Sequence, residues 1–324
     1  MSILWQSLSE VFPPTAKFTD HDVPDLTSKC FLVTGGTSGI GLEVAKVLYA
    51  KNATVYITSR SVENFDRAKA AVLASAAESI GKLEFVELDL MDLASVRTAG
   101  LEILGRAPVF DVVWYNAGIM GHATLSATRQ GHEIHWGANA IGHFLLHRLI
   151  SGKLIECNPG ARVIWLASDA HLFSPAPDGV DWSNVETRSE NSDGGSSSSS
   201  SSSQLALYGH SKAAAILLAH ETARRQAVLS VSVHPGHLKT GMQENRPKWV
   251  KQLGNLFSYD PKYGAYTELF AGFSDQINEH SNGAYVIPWG RIGRPRSDIL
   301  EGLHSRHTGE RLWNVLSDSV KDYL

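Results

Sequence analysis

Apolar residues recur along this chain in two alternating rhythms. Short continuous apolar runs, bounded by glycine or polar residues, predict buried strands over 31–33, 54–58, 83–88, 109–115, 162–167 and 228–233. Between them, apolar positions at helical spacing predict helices over 42–50, 62–80, 93–104, 130–155 and 206–225. Strands separated by one helix each imply crossover connections and a parallel sheet covered on both faces. Right-handed crossovers then give a single doubly wound α/β arrangement of Rossmann type. Two stretches break the rhythm. Residues 174–204 hold Pro, Gly, Asp, Asn and a run of serines from 196 to 203, which reads as a flexible loop. After about 241 the pattern turns irregular, with Pro247, Pro261, Pro288 and Pro295, before a terminal helix over 310–324 whose Leu312, Val315 and Val320 are candidate buried positions. At the start, Ile3, Leu4, Trp5, Leu8 and Phe12 share one face of a short helix ended by Pro13 and Pro14. That segment either caps the body or meets a membrane interface.

Composition narrows the classes. Of 324 residues, 43% are hydrophobic and 19% charged, which is ordinary globular usage and argues against wholesale disorder. The net charge of −4 argues against a nucleic-acid partner and against a polybasic membrane surface. Cys30 and Cys157 form neither a disulfide framework nor a CxxC pair, which fits a reducing, cytoplasmic setting. No apolar run reaches the ~18 residues of a membrane span, and the opening lacks a basic leader region. The histidines form no HExxH or similar constellation, so no metal is expected.

Three motifs carry chemistry. Between the first strand and first helix the chain reads Thr34-Gly35-Gly36-Thr37-Ser38-Gly39-Ile40-Gly41. Glycines permit a tight turn and close approach to a pyrophosphate. The helix N-terminus that follows offers free N–H groups and the positive end of its dipole. In a strand–turn–helix setting this TGxxxGxG spacing predicts a dinucleotide site. At the end of the second strand, Ser59 stands where a carboxylate would bind the ribose hydroxyls of NAD, and Arg60 follows it. Arginine suits bidentate phosphate binding, so NADP(H) is the expected cofactor, with a solvated surface arginine as the alternative. Finally, Tyr208-Gly209-His210-Ser211-Lys212 sets a phenol and an ammonium on one helix face. A nearby ammonium lowers a phenol's pKa, which would let Tyr208 give and take a proton near neutral pH.

With Asn116-Ala117-Gly118, the Asn139 helix, Ser168 and His234-Pro235-Gly236, these motifs stand in an order that resembles the short-chain dehydrogenase/reductase family over residues 28–242. The opening Phe18-Thr19 and Asp22-Val23-Pro24-Asp25-Leu26 look like the lead-in of fungal and retinol-dehydrogenase-like members. The resemblance implies Tyr208 as general acid, Lys212 on the nicotinamide ribose, Ser168 orienting the substrate oxygen and Asn139 in a water-linked proton relay. It implies Asp89 and Leu90 beside the adenine, and Pro235, Gly236, Leu238 and Thr240 at the carboxamide. Ala167 replaces the first of two family serines, and Tyr115 stands where many relatives carry asparagine. The motif order favours one catalytic unit over 28–300, with 1–27 as lead-in, 301–324 as cap helix and a substrate lid at about 241–262.

The expected partner is a bulky, apolar carbonyl or alcohol, met by Met242, Trp249, Leu253, Leu256 and Phe257 beside Phe173 and Met120. The resemblance points to fungal secondary metabolism. A non-catalytic NADP-binding regulator and an isomerase or cyclase with fixed NADP are the alternatives. Ser168 and Tyr208 stand 40 positions apart, far more than in compact members. The extra chain enters before the helix that relatives use for oligomerisation, so a monomer or a dimer through another surface is expected. His210 either touches substrate or lies on a helix surface. Arg291, Arg294 and Arg296 read as a solvated basic loop, with contact to an acidic substrate as the alternative.

Overall fold

Side chains along the strands alternate between two cores. Phe31 and Val33 of β1 (Cys30–Val33) join Val55, Ile57, Val112, Trp114 and Ile164 on one face of the sheet. Leu32 joins Tyr56, Val113, Tyr115 and Val163 on the other. A period of two sends successive residues to opposite faces, so each strand feeds both layers, as a covered parallel sheet requires. These relations come from a computed structural model, which describes residues 8–121, 125–158, 160–186, 201–239 and 258–324.

After β1 come α1 (Gly39–Ala50), β2 (Thr54–Ser59), α2 (Val62–Ser75), β3 (Lys82–Glu87), α3 (Leu93–Arg106) and β4 (Val112–Tyr115). A π-helical segment, Trp136–Gly142, runs directly into α4 (His143–Cys157), followed by β5 (Arg162–Leu166) and a 3-10 turn, Asp169–Phe173. Then come α5 (Trp182–Glu186), α6 (Ser201–Arg225), β6 (Leu229–Val233), α7 (Pro261–Phe273), β7 (Tyr285–Ile287), β8 (Arg291–Gly293), α8 (Ser297–Ser305) and α9 (Thr308–Val320). The eight strands lie in the order β3-β2-β1-β4-β5-β6-β7-β8, all parallel except β8. Between β1 and β4 the strand order switches sides, which opens a crevice at the strand C-termini, where such folds bind ligands.

Several expectations are corrected. The helix expected from 130 starts at Trp136 instead. Gly131 takes φ +80° and Ala127 bridges Glu133, which holds residues 127–133 as a turn. The Glu133 carboxylate then accepts the His135 and Trp136 N–H groups and caps the helix. The chain beyond 174 is not loose throughout. Val180 is buried, Asp178 pairs with Arg306, and the last serines of the run, from Ser201, belong to α6. The rest of the run, 196–200, lies outside the described residues. Beyond 258 the irregular pattern conceals α7, whose Asp260 cap accepts from Lys262 N–H while Pro261 takes the first turn. In α9, Leu312 and Val320 are buried as expected, Val315 only partly, and Trp313 and Leu316 complete the face. At the N-terminus Leu8 and Phe12 are exposed and Glu10 is buried, so these two apolar residues do not pack on the body; Ile3, Leu4 and Trp5 lie outside the described residues.

The C-terminal helices cover α4 and α6. Trp313 meets Phe144 edge to face with centroids 4.9 Å apart, beneath the guanidinium groups of Arg148 and Arg225. Arg296 is no solvated residue. Its guanidinium donates to the carbonyls of His171, Leu172, Ser174 and Pro175 and pairs with Asp298. Arg291 likewise donates to the Ser9 and Pro288 carbonyls.

Candidate active site

The glycine turn, the end of β2 and the loop after β4 meet at one end of the sheet. Gly35 takes φ +67°, a conformation that favours glycine, and donates its N–H to Thr58 Oγ1 at 3.2 Å. A Cβ at Gly41 would lie 2.5 Å from Asn116 Nδ2 and 2.7 Å from the Gly35 carbonyl oxygen, so no larger residue fits. Asn116 Nδ2 donates to the Thr34 carbonyl at 2.8 Å, and Ala117 N–H to Thr34 Oγ1 at 3.0 Å. These bonds fasten the turn to residues 116–118. Ser38 precedes α1 without a side-chain cap, which leaves first-turn N–H groups for an anion.

A cavity of about 760 Å³ runs from this turn to the catalytic candidates. Gly35, Thr37, Ser38, Gly39, Ile40 and Arg60 line one end, and Asp89, Leu90, Asn116, Ala117 and Gly118 the middle. Ser168, Tyr208, Lys212, Pro235, Gly236 and Leu238 line the other end. Gly41 and Asn139 stand behind the wall. Thr240 and the lid residues Met242, Trp249, Leu253, Leu256 and Phe257 lie outside the described residues. Pockets of this size hold cofactors with substrates, and the glycine turn and bare helix end fit a dinucleotide.

Tyr208 and Lys212 are buried on α6. Lys212 Nζ donates to the Leu166 carbonyl at 2.8 Å and lies 5.6 Å over the Tyr208 ring. The ammonium thus lies over the ring, on the helix face that the motif places beside the phenol. Burial pushes Tyr208 well up, the Asp169 carboxylate adds to this, and a hydrogen bond with Ser168 acts the other way. The phenol is therefore held protonated. Burial pulls Lys212 down to about 8, against the pull of Glu268. Asn139 Oδ1 accepts Ile119 N–H at 2.9 Å, and its Nδ2 donates to the Ile119 carbonyl and Ser211 Oγ, each at 3.0 Å. The wide π-helical turn places this amide against the loop after β4.

Beside Ser168 the fold assembles a group that sequence spacing did not reveal. Ser168 Oγ donates to Asp169 Oδ1 at 3.0 Å, and His237 Nε2 lies 2.9 Å from Asp169 Oδ2. His234 Nε2 lies 3.9 Å from Oδ1. Burial raises the Asp169 carboxyl, but His234, His237 and the Ser168 hydroxyl together hold it below its ordinary value. Burial also pulls His234 down to about 4, so that ring is neutral near pH 7, whereas the contact with Asp169 lifts His237 against its own burial. The three residues are close enough to hold a metal ion. However, Gly236 N–H donates to His234 Nδ1 at 3.4 Å, which puts the ring hydrogen on Nε2, the atom a metal would need. His171 forms no triad with Ser168. Its Nδ1 donates to the Ser168 carbonyl at 2.7 Å, and its Nε2 accepts Arg296 N–H.

Comparison with known proteins settles the lineage. The short chain dehydrogenase family model matches residues 29–178. A short-chain dehydrogenase/reductase from Phomopsis amygdali is 34% identical, with 98% of this chain and 96% of the relative aligned. This chain belongs to the short-chain dehydrogenase/reductase family. Another member, from Emericella nidulans, is 32% identical over 96% of this chain and 98% of its own. The crystal structure of an uncharacterised protein from Mycobacterium paratuberculosis superposes with a TM-score of 0.68 at 25% identity, covering 94% of this chain and 97% of that one.

Within this short-chain dehydrogenase/reductase, Tyr115 turns away from the cavity. It is fully buried, with its hydroxyl 3.2 Å from His147 Nδ1 and its ring 4.5 Å from Trp165. His147 supplies the partner that makes tyrosine tolerable there. His210 is not on the surface and is not among the residues that line the cavity. It stacks on Trp136 at 4.2 Å and accepts Asp181 N–H. Beneath the catalytic end, Glu268 of α7 is buried with no hydrogen-bond partner on either carboxylate oxygen among the described residues, and burial pushes it up to about 8. At the Arg60 end, Thr37, Ser38, Asn64 and Arg67 line an adjoining cavity of about 300 Å³. Neither Glu268 nor Arg67 belongs to a motif. Arg67 lies two turns into α2, and only the geometry brings it near Arg60.

Proposed function

We propose that this oxidoreductase uses NADP(H) to interconvert a carbonyl and an alcohol, chiefly as a reductase. The observation that carries the reading is the single cavity joining the glycine turn and Arg60 to Ser168, Tyr208 and Lys212. The bound nicotinamide supplies or takes the hydride. Tyr208, held protonated by burial and by Asp169, gives its proton to the substrate oxygen. Ser168 orients that oxygen, and Lys212 holds the ribose. Asn139 positions Ile119 and Ser211, and through them the loop and helix that frame Lys212. Arg60, with Arg67 and Asn64 near it, supports a 2′-phosphate, and Ser59 adds no opposing charge. Leu238, Pro235, Gly236 and Thr240 are proposed at the carboxamide, and Asp89 and Leu90 at the adenine.

Met120, Phe173 and Leu205 give the substrate end an apolar wall. A fungal biosynthetic setting follows from the relatives, and a cytoplasmic location fits, since no helix among the described residues is long and apolar enough to cross a membrane. The test is NADPH oxidation at 340 nm with a panel of ketones and quinones. Wild type is expected to turn over members of the panel, and Tyr208→Phe to lose at least a hundredfold in kcat. Tight NADPH binding with no turnover in either protein would favour a regulator. A product of unchanged oxidation state would favour an isomerase or cyclase.

A further inference from the structure

A substrate wall selects only if it keeps its distance from the group that gives the proton. Met120 stands on such a wall, in the loop after β4, and its neighbours Ile119 and Gly121 also line the cavity. Residues 116–121 have no regular secondary structure of their own. Side chains from the start of the long helix hold them instead. Asn139 takes both backbone groups of Ile119. Four residues earlier, His135 Nε2 accepts the Gly121 N–H at 2.8 Å. Met120 is thus fixed from both sides.

The same histidine reaches the opposite wall. Its ring meets the Tyr208 ring edge to face, with centroids 6.0 Å apart. Its Nδ1 lies 2.6 Å from Glu133 Oε1. An ionised carboxylate only accepts, so Nδ1 carries the ring hydrogen and Nε2 is left as the acceptor that Gly121 needs. The His135 side chain is 4% exposed and does not line the cavity. A buried imidazole is costly unless its nitrogens are bonded. Here one nitrogen is anchored by Glu133 and the other clamps the loop. We propose that His135 is a positioning residue that sets the gap between Tyr208 and Met120, and through it the preference for a bulky apolar carbonyl compound. This deepens the reductase reading and rests on it. Without Nε2 the Gly121 N–H loses this partner, Met120 is released, and a wide substrate loses its wall. A small ketone held by Ser168 and Tyr208 alone does not depend on that wall. Nor does the cofactor, because Thr34 fastens Asn116 and Ala117 independently.

The experiment compares 2-acetylnaphthalene with 2-butanone, using full-length protein and reading turnover as NADPH oxidation. His135→Leu and His135→Phe both remove the acceptor, and the second keeps a ring against Tyr208. Each should raise KM for the naphthyl ketone about tenfold, the scale of one buried hydrogen bond. KM for butanone and Kd for NADPH should each change by less than about twofold. His135→Gln again offers an acceptor and should return to within about threefold of wild type. Met120→Ala should raise the same KM, and adding His135→Leu to it should change little more, because one acts through the other. Equal losses for both ketones and NADPH, no loss, or additive losses in the double variant would overturn the inference and leave the reductase reading intact. If wild type turns over neither ketone, equilibrium dialysis of the naphthyl ketone against protein saturated with NADP⁺ decides. Binding that is lost in His135→Phe and recovered in His135→Gln would support the inference and count against the reductase reading. No binding by wild type would overturn both.

Discussion

Removing the guanidinium groups near the end of β2 gives the sharpest test of cofactor choice. Arg60 follows β2 directly, and Arg67 reaches the adjoining cavity while bonded to Asn64. Both side chains lie in exposed positions. A charge-assisted hydrogen bond contributes about 1.5–3 kcal/mol when shielded, and exposure to solvent reduces this to roughly 1–2 kcal/mol per arginine. Arg60→Ala should therefore weaken NADPH by about five- to thirtyfold, and Arg60→Ala with Arg67→Ala by about a hundredfold. NADH lacks the 2′-phosphate and should change by no more than about twofold. The assay is kcat/KM for each cofactor with one ketone, alongside Kd from nicotinamide fluorescence. The gap between cofactors should shrink as salt rises, because screening acts on the phosphate contact. Equal losses for NADH and NADPH, or no loss for either, would refute the assignment of these arginines to a 2′-phosphate.

Other consequences are as direct. Burial lowers Lys212 to about 8, so its ammonium is present below that pH and is lost above it. The kcat/KM for NADPH should decline above about pH 8, and Glu268→Gln should move the decline to lower pH, since Glu268 raises Lys212. A profile flat to pH 10 would contradict both. Trp313→Ala should cost about 3–5 kcal/mol in urea unfolding followed by circular dichroism, and a change below about 1 kcal/mol would show that α9 is not anchored there. Because α9 occupies the outer face of α4 and α6, light scattering should find a monomer, or a dimer through another surface. A stable tetramer would refute this.

The parallel sheet was legible because its strands are buried on both faces and read as continuous apolar runs. The cradle was legible because glycine leaves a local signature, as at Gly35 and Gly41. What stayed hidden depends on contacts between distant segments. Asp169 and His237 are 68 positions apart, and neither spacing nor composition joins them. Glu268 was concealed in a segment whose prolines suggested irregular chain, although Pro261 in fact starts a helix. Arg296 read as a solvated charge because sequence cannot show four carbonyl groups converging on it. Lys212 was legible in its neighbour and not in its geometry. The motif places it near Tyr208, but only the structure shows which side of the ring it meets.

The fastening of Arg296 to the carbonyls of residues 171–175 bears on how the chain matures. Every residue of the cradle from Gly35 to Gly118 comes before the midpoint of the chain, yet the turn carrying Ser168 is held by Arg296, far beyond it. During synthesis the phosphate end of the nucleotide site can thus emerge long before the catalytic wall is locked. Inheritance follows the same division. Changes near Arg296 can reshape substrate handling while the phosphate end of the cradle stays untouched, so one cradle can serve a succession of chemistries.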